Sequence, residues 1–185
     1  MNIVQPFPKE KICDIANWLK DYSQKYYVIF LIGISVGIRI SDILKLKIQD
    51  VQNTDRIVIK EQKTGKTKVF PLKLQIAQVL KEYIEKYCDE RQEYIFIGKK
   101  GAKLDRSAVY RILNRCIREL GIKNKTGCHS LRKYCGRAIY EQTKDLAMVM
   151  EIFNHSSQKI SARYIGLTEE RIKDTYLNLD LGVEI

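Results

Sequence analysis

Arg56-Ile57-Val58-Ile59-Lys60-Glu61-Gln62-Lys63-Thr64-Gly65-Lys66-Thr67-Lys68-Val69-Phe70 is where the periodicity of the chain changes. Arg56–Lys60 and Thr67–Phe70 are rich in β-branched and aromatic residues and read at a period of two, as short strands do. Lys63-Thr64-Gly65-Lys66 between them has turn chemistry. The stretch predicts a β-hairpin with Lys63 at its tip. On either side the apolar spacing returns to that of helices. The predicted fold class is therefore α+β, a mainly helical domain with a small antiparallel β-sheet.

Working upstream, Tyr26 to Ile38 is apolar almost all round, which predicts a helix buried in the core and ended by Gly37. Ser41 is the expected N-cap of the next short helix, with Asp42 in its first turn, where the helix dipole favours a carboxylate. Ile12, Ile15, Ala16 and Leu19 form the stripe of an earlier helix, with Pro8 suited to its first turn. Residues 1–8 read as an extended lead-in to a domain covering 9–185. Downstream, residues 73–88 carry a helical stripe, and Tyr94–Ile97 is expected to add a short strand. Asp105 to Leu120 predicts a helix with Gly121 as its stop, and Arg111, Arg115 and Arg118 share its polar side. That row is either a solvated face or a DNA-facing one. Residues 130–142, 145–153, 159–165 and 168–179 read as further short helices.

The 185 residues suit one domain, since folding units usually run to about 100–200. With 45% hydrophobic against 30% charged residues, a packed core is expected and wholesale disorder is not. The 33 Lys+Arg against 22 Asp+Glu leave +11, and the pI is near 9.4, which predicts a polyanionic partner. Nucleic acid and an anionic membrane surface both fit. The five cysteines are scattered with no C-x-x-C pair, as expected of idle thiols in a reducing compartment. Two histidines and no ligand cluster leave a structural zinc site unsupported, and no cofactor or metal is expected. The N-terminus lacks a charged-then-apolar leader. The longest apolar run covers 13 positions, short of the roughly 20 that span a bilayer. A soluble, cytoplasmic protein is expected.

Three polar clusters stand where a core alone would not need them. Arg39 sits in Val36-Gly37-Ile38-Arg39-Ile40-Ser41-Asp42, between the buried helix and the capped one. His129 and Arg132 lie three apart in Cys128-His129-Ser130-Leu131-Arg132, on one helical face. Asn154-His155-Ser156-Ser157 is followed, nine residues after the histidine, by Arg163-Tyr164.

Together these boxes resemble the tyrosine recombinase (phage integrase) family over its catalytic domain, from about Lys9 to Leu179. The family's Gly-Leu-Arg-x-Ser-Glu box is matched by Gly37-Ile38-Arg39-Ile40-Ser41-Asp42. Its H-x-x-R box is matched by His129–Arg132, and its L-G-H-S-S…R-Y stretch by Phe153-Asn154-His155-Ser156-Ser157…Arg163-Tyr164. Its hairpin lysine, usually within K-T-G, is matched by Lys63-Thr64-Gly65. Asn154 replaces the usual glycine, which suits a left-handed helix end. Asp42 replaces the usual glutamate.

The resemblance implies Arg39, Lys63, His129, Arg132, His155 and Tyr164 as catalytic residues. Two guanidiniums match the non-bridging oxygens of a phosphodiester and stay charged throughout, which fits Arg39 and Arg132. His129 can accept the proton of the attacking group, with Asp42 as its orienting partner. His155 can donate to the phosphate, and Lys63 can protonate the departing 5′ oxygen. Tyr164 would then hold DNA as a 3′-phosphotyrosyl ester. The polar stretch from Ser156 to Ser161 would let it swing toward the phosphate. Tyr134, Tyr140 and Tyr176 are expected to pack instead.

No acidic cluster suits a two-metal nuclease. The expected partners are double-stranded DNA and three further copies, as a homotetramer on paired DNA sites and a monomer off DNA. The resemblance implies a bacterial, nucleoid-associated location. The family's usual N-terminal DNA-clamping domain is not expected before Lys9, the chain being either a catalytic fragment or one of the short recombinases that lack that domain. The alternatives are a catalytically inactive DNA-binding module of the same fold and a type IB topoisomerase-like strand transferase.

Overall fold

A computed structural model describes residues 4–51, 55–60, 67–89, 91–98, 101–167, 175–180 and 182. The chain divides into two compact units, Met1–Cys135 and Gly136–Ile185.

The first unit is built round the helix that the sequence makes apolar on nearly every side. After α1 (Ile12–Tyr22), α2 (Gln24–Val36) buries Val28, Ile29, Phe30, Ile32, Gly33 and Val36. Gly37 ends α2 with φ 66° and ψ 20°, a left-handed conformation that glycine adopts without steric cost. The short helix α3 (Ile40–Ile43) follows at once. Its N-cap is Arg39, not the expected Ser41, and Asp42 falls in its first turn. The backbone leaves Gly37 in an extended conformation at Arg39 (φ −69°, ψ 144°), so the turn begins two residues early.

The hairpin pairs β1 (Arg56–Lys60) with β2 (Thr67–Pro71) antiparallel, in the register Ile57↔Phe70, Val58↔Val69 and Ile59↔Lys68. The pleat sends Ile57 and Ile59 into the core and leaves Val58 and Val69 exposed on the other face. The connecting turn, with Lys63, lies outside the described residues. Tyr94–Ile97 is not a strand. Its partners change residue by residue: Ile95 N–H donates to Leu46, Phe96 accepts from Leu104, and Gly98 donates to Ala102, so only single bridges form.

After α4 (Leu74–Tyr87), α5 (Arg106–Glu119) is capped by Asp105, whose carboxylate accepts the Ser107 N–H at 2.6 Å. The arginine row on α5 is partly structural. Arg115 pairs with Glu119 at 2.7 Å and lies over the rings of Trp18 and Tyr22, while the Trp18 indole donates to Glu119 at 2.9 Å. These contacts tie α5 to α1. Near the N-terminus, Phe7 is buried against Phe30, and Gln5 donates to the Lys125 carbonyl at 2.8 Å.

The helix α6 (Cys128–Thr143) crosses the division at Gly136. In the second unit it is followed by α7 (Leu146–Phe153) and α8 (Gln158–Ile165). Asp145 caps α7 by accepting from Ala147 and Met148, and Ser157 caps α8 by accepting from Ile160. Asn154 ends α7 at φ 53°, the left-handed conformation expected of it. Of the predicted last helix, residues 168–174 lie outside the described residues and 175–177 are helical. Tyr176 does not pack on an apolar stripe, being 77% exposed. Among the described residues no helix is long and apolar enough to cross a membrane.

Candidate active site

In the first unit the position of His129 and Arg132 follows from how closely α6 approaches α2. A Cβ placed on Gly33 would sit 2.9 Å from Leu131 Cδ1 and 3.0 Å from Leu131 Cβ, so glycine permits the contact. Further along, the Cys135 thiol donates to the Ser35 carbonyl at 3.5 Å, and Arg132 Nη1 donates to the Gly37 carbonyl at 2.5 Å. The helix bearing the His-x-x-Arg box is thereby held against the end of α2, two residues before Arg39. Ser130, fully buried, accepts from Gly127 N–H at 3.0 Å and donates to the Gln5 carbonyl at 2.6 Å. The two middle residues of the box, Ser130 and Leu131, are core, Arg132 is buried with them, and His129 is exposed.

Arg132 is only 6% exposed, and a guanidinium so buried needs partners, of which the Gly37 carbonyl is one. Arg39 is half-buried, and its carbonyl accepts the first N–H groups of α3, from Asp42 at 2.8 Å and Ile43 at 3.0 Å. Asp42 is buried as well.

His129 is open to solvent on one side, yet its pKa lies below the ordinary 6.5. The protein packed round the ring contributes most, followed by the positive charges of Arg106, Lys133, Arg132 and Arg39. The ring is therefore neutral at pH 7 and able to accept a proton. The sequence boxes include two of these four cations. Lys133, buried at i+4 from His129 on α6, is signalled by that spacing alone. Arg106 opens α5, far away in sequence, and also hydrogen-bonds the Cys128 side chain. No motif marks it. With Asp105, Ser107 and Tyr110 it lines a concavity of about 410 Å³.

The second unit brings His155 and Tyr164 together. Their ring centroids are 5.0 Å apart at 67°, and the Phe153 ring stands edge-on to both, at 5.6 Å from His155 and 5.8 Å from Tyr164. Phe153 is seated against Gly136, where a Cβ would come within 2.5 Å of Phe153 Cε2 and 2.9 Å of Ile165 Cγ2. His155 Nδ1 lies 3.0 Å from Ser161 Oγ, and Ser161 is fully buried. The stretch before Tyr164 is therefore not a loose polar loop. Its second half is the first turn of α8, and Ser161 is core. Lys63 lies outside the described residues, and Tyr134 and Tyr140 pack as expected, half-buried and buried. Among the described residues no three of His, Cys, Asp and Glu gather as metal ligands.

Comparison with known proteins places these residues in a wider group. The phage integrase family matches residues 7–171. The probable integrase/recombinase YoeC of Bacillus subtilis strain 168 is 38% identical over 180 residues, covering 95% of this chain and 97% of that protein. The type 1 fimbriae regulatory protein FimE of Escherichia coli strain K12 is 29% identical over 167 residues, covering 88% of this chain and 82% of that one. Among solved structures, the XerA recombinase superposes with a TM-score of 0.78 at 18% identity, over 96% of this chain and 65% of that one.

Proposed function

The chain belongs to the phage integrase family and is a site-specific tyrosine recombinase catalytic domain, and from that premise we propose how its residues cut and rejoin duplex DNA. Arg39 and Arg132 clamp the non-bridging oxygens of one phosphodiester, where negative charge grows as the phosphorus is attacked. The Tyr164 hydroxyl, a weak nucleophile while protonated, gives its proton to neutral His129. A bond forms between the Tyr164 oxygen and phosphorus as the bond to the 5′ oxygen breaks in line. Lys63 supplies the proton that the departing oxygen needs. His155 donates to the phosphoryl oxygens, and Asp42 acts behind the cations as a positioning carboxylate.

The product is a 3′-phosphotyrosyl ester and a free 5′ hydroxyl. No bond energy is lost to water, so attack by a 5′ hydroxyl from another strand reverses the step and completes an exchange. The chemistry needs no cofactor. Strand exchange between two duplexes calls for a homotetramer on paired sites, each copy using residues 9–185.

The observation that carries this reading is the Arg132–Gly37 hydrogen bond, which holds the His-x-x-Arg helix beside the box containing Arg39. The experiment is covalent trapping on a pool of nicked duplexes with randomised flanks, followed by mass spectrometry of the adduct. The expected adduct is on Tyr164, and Tyr164→Phe is expected to abolish it while leaving duplex affinity within about twofold, because a phenol adds no charge to the salt-dependent part of binding. An adduct on another tyrosine, or undiminished trapping by Tyr164→Phe, would overturn the assignment. A duplex-binding protein that never forms an adduct would be the inactive module.

A further inference from the structure

A serine in a helix normally turns its hydroxyl back to the carbonyl one turn earlier. Ser35 does so, donating to Leu31 at 2.7 Å, and Thr143 does so to Ile139 at 2.9 Å. Ser161, in the middle of α8, does not. Its Oγ lies 3.0 Å from His155 Nδ1, and among the described residues that nitrogen is its hydrogen-bond partner. The serine is fully buried, so its hydroxyl hydrogen has no water to go to. The acceptor at hand is the lone pair of Nδ1.

We propose that Ser161 is a positioning residue that fixes the tautomer of His155, donating to Nδ1 so that the ring's own proton stays on Nε2. Resting on the recombinase reading above, the assignment makes His155 a permanent donor toward a phosphoryl oxygen. If the ring takes up a second proton, Nδ1–H simply reverses the bond with Oγ, and Nε2–H is unchanged. The donor is thus present in both charge states. The surroundings fix the ring plane as well. Backbone N–H of His155 donates to Met150 at 2.9 Å, and the Phe153 and Tyr164 rings meet the imidazole edge-on. Ser161 also lies one turn before Tyr164 on α8, so one short helix carries the nucleophile and sets the donor.

The chain has only two histidines, which makes the test direct. Long-range proton–nitrogen NMR of protein labelled with 15N-histidine gives two ring patterns, assigned with His129→Gln. Above the ordinary histidine range, wild-type His155 is expected to show the Nε2–H pattern, and Ser161→Ala a mixture of tautomers. Adduct formation by Ser161→Ala is expected to fall about 10–100-fold, as when a functional histidine loses its outer partner, with duplex affinity within about twofold. Ser161→Thr, which keeps the hydroxyl, is expected to restore both.

An Nδ1–H pattern in the wild type would overturn the proposal even if Ser161→Ala failed to fold. So would a wild-type tautomer in Ser161→Ala, or a changed tautomer with an unchanged adduct rate. Tyr164→Phe separates the two levels. If it still forms adduct, the assignment of Tyr164 as nucleophile fails while the NMR result stands on its own.

Discussion

The protein packed round His129 strips water from its charged form, and Arg106, Lys133, Arg132 and Arg39 add four positive charges that any proton it takes must meet. The folded protein therefore holds that proton more weakly than the unfolded chain does. Acidification should remove stability as pH falls through the ordinary histidine value of 6.5 and stop doing so below the lower, folded value. The same shift should place the acid limb of adduct formation below 6.5. Arg106→Gln is expected to move that limb upward, read as adduct rate against pH; an unmoved limb would remove Arg106 from the proton balance. Lys63, expected from the sequence between the two strands, has a separate signature. Lys63→Ala should slow cleavage of an ordinary phosphodiester, and a 5′-bridging phosphorothiolate, whose sulfur leaves without a proton, should restore it; rescue confined to Lys66→Ala would reassign the acid. At this scale the sequence offered candidates for the groups that would face substrate, because such chemistry is carried by residue type and spacing. It hid Arg106 and the role of Ser161, because a cation brought in from α5 and a hydroxyl turned inward leave no local pattern.

Helix α6 packs closely at two glycines, one in each unit, and each bears on the candidate residues of its own unit. Gly33 lets α2 lie against Leu131, between His129 and Arg132. Adding a methyl there forces Leu131 outward from its Cβ, an overpacking that typically costs about 1–3 kcal/mol. Gly33→Ala should lower the melting temperature and slow adduct formation together. Gly136→Ala meets Phe153 and Ile165 more tightly still, and Phe153 is the ring against which His155 and Tyr164 are set. Leu131→Val, which trims the same contact, should partly rescue Gly33→Ala and leave Gly136→Ala unaided; equal rescue of both would mean that the defects are global. The helices and the two hairpin strands are legible because periodicity encodes burial directly. The strand expected at Tyr94–Ile97 failed for lack of a continuous partner, which composition cannot supply. The cap expected at Ser41 failed because the αL turn at Gly37 already aims the chain into a helix at Ile40.

At the scale of the whole molecule the net charge of +11 sets how the protein meets DNA. Each phosphate neutralised contributes about −0.9 to the slope of log affinity against log salt, so steep salt dependence is expected, and a flat fluorescence titration would argue against DNA as partner. Charge would bring copies to a duplex, but the proposed homotetramer also needs the copies to meet each other. The exposed apolar side chains between residues 175 and 180 are a candidate for that contact. Tyr176 is 77%, Leu177 70% and Leu179 54% exposed, three large apolar side chains left largely open to solvent. Had they been buried in place, their removal would cost about 1.5–3 kcal/mol each. Exposed as they are, their removal should cost little in the isolated chain. A truncation after Thr175 is therefore expected to melt as the full chain does. If these side chains instead dock on a neighbouring copy, the same truncation should abolish cooperative assembly on paired sites in a sedimentation or gel-shift series while single-duplex binding persists. A lowered melting temperature would show that the segment folds back on its own core, and unchanged assembly would show that the copies meet through some other surface.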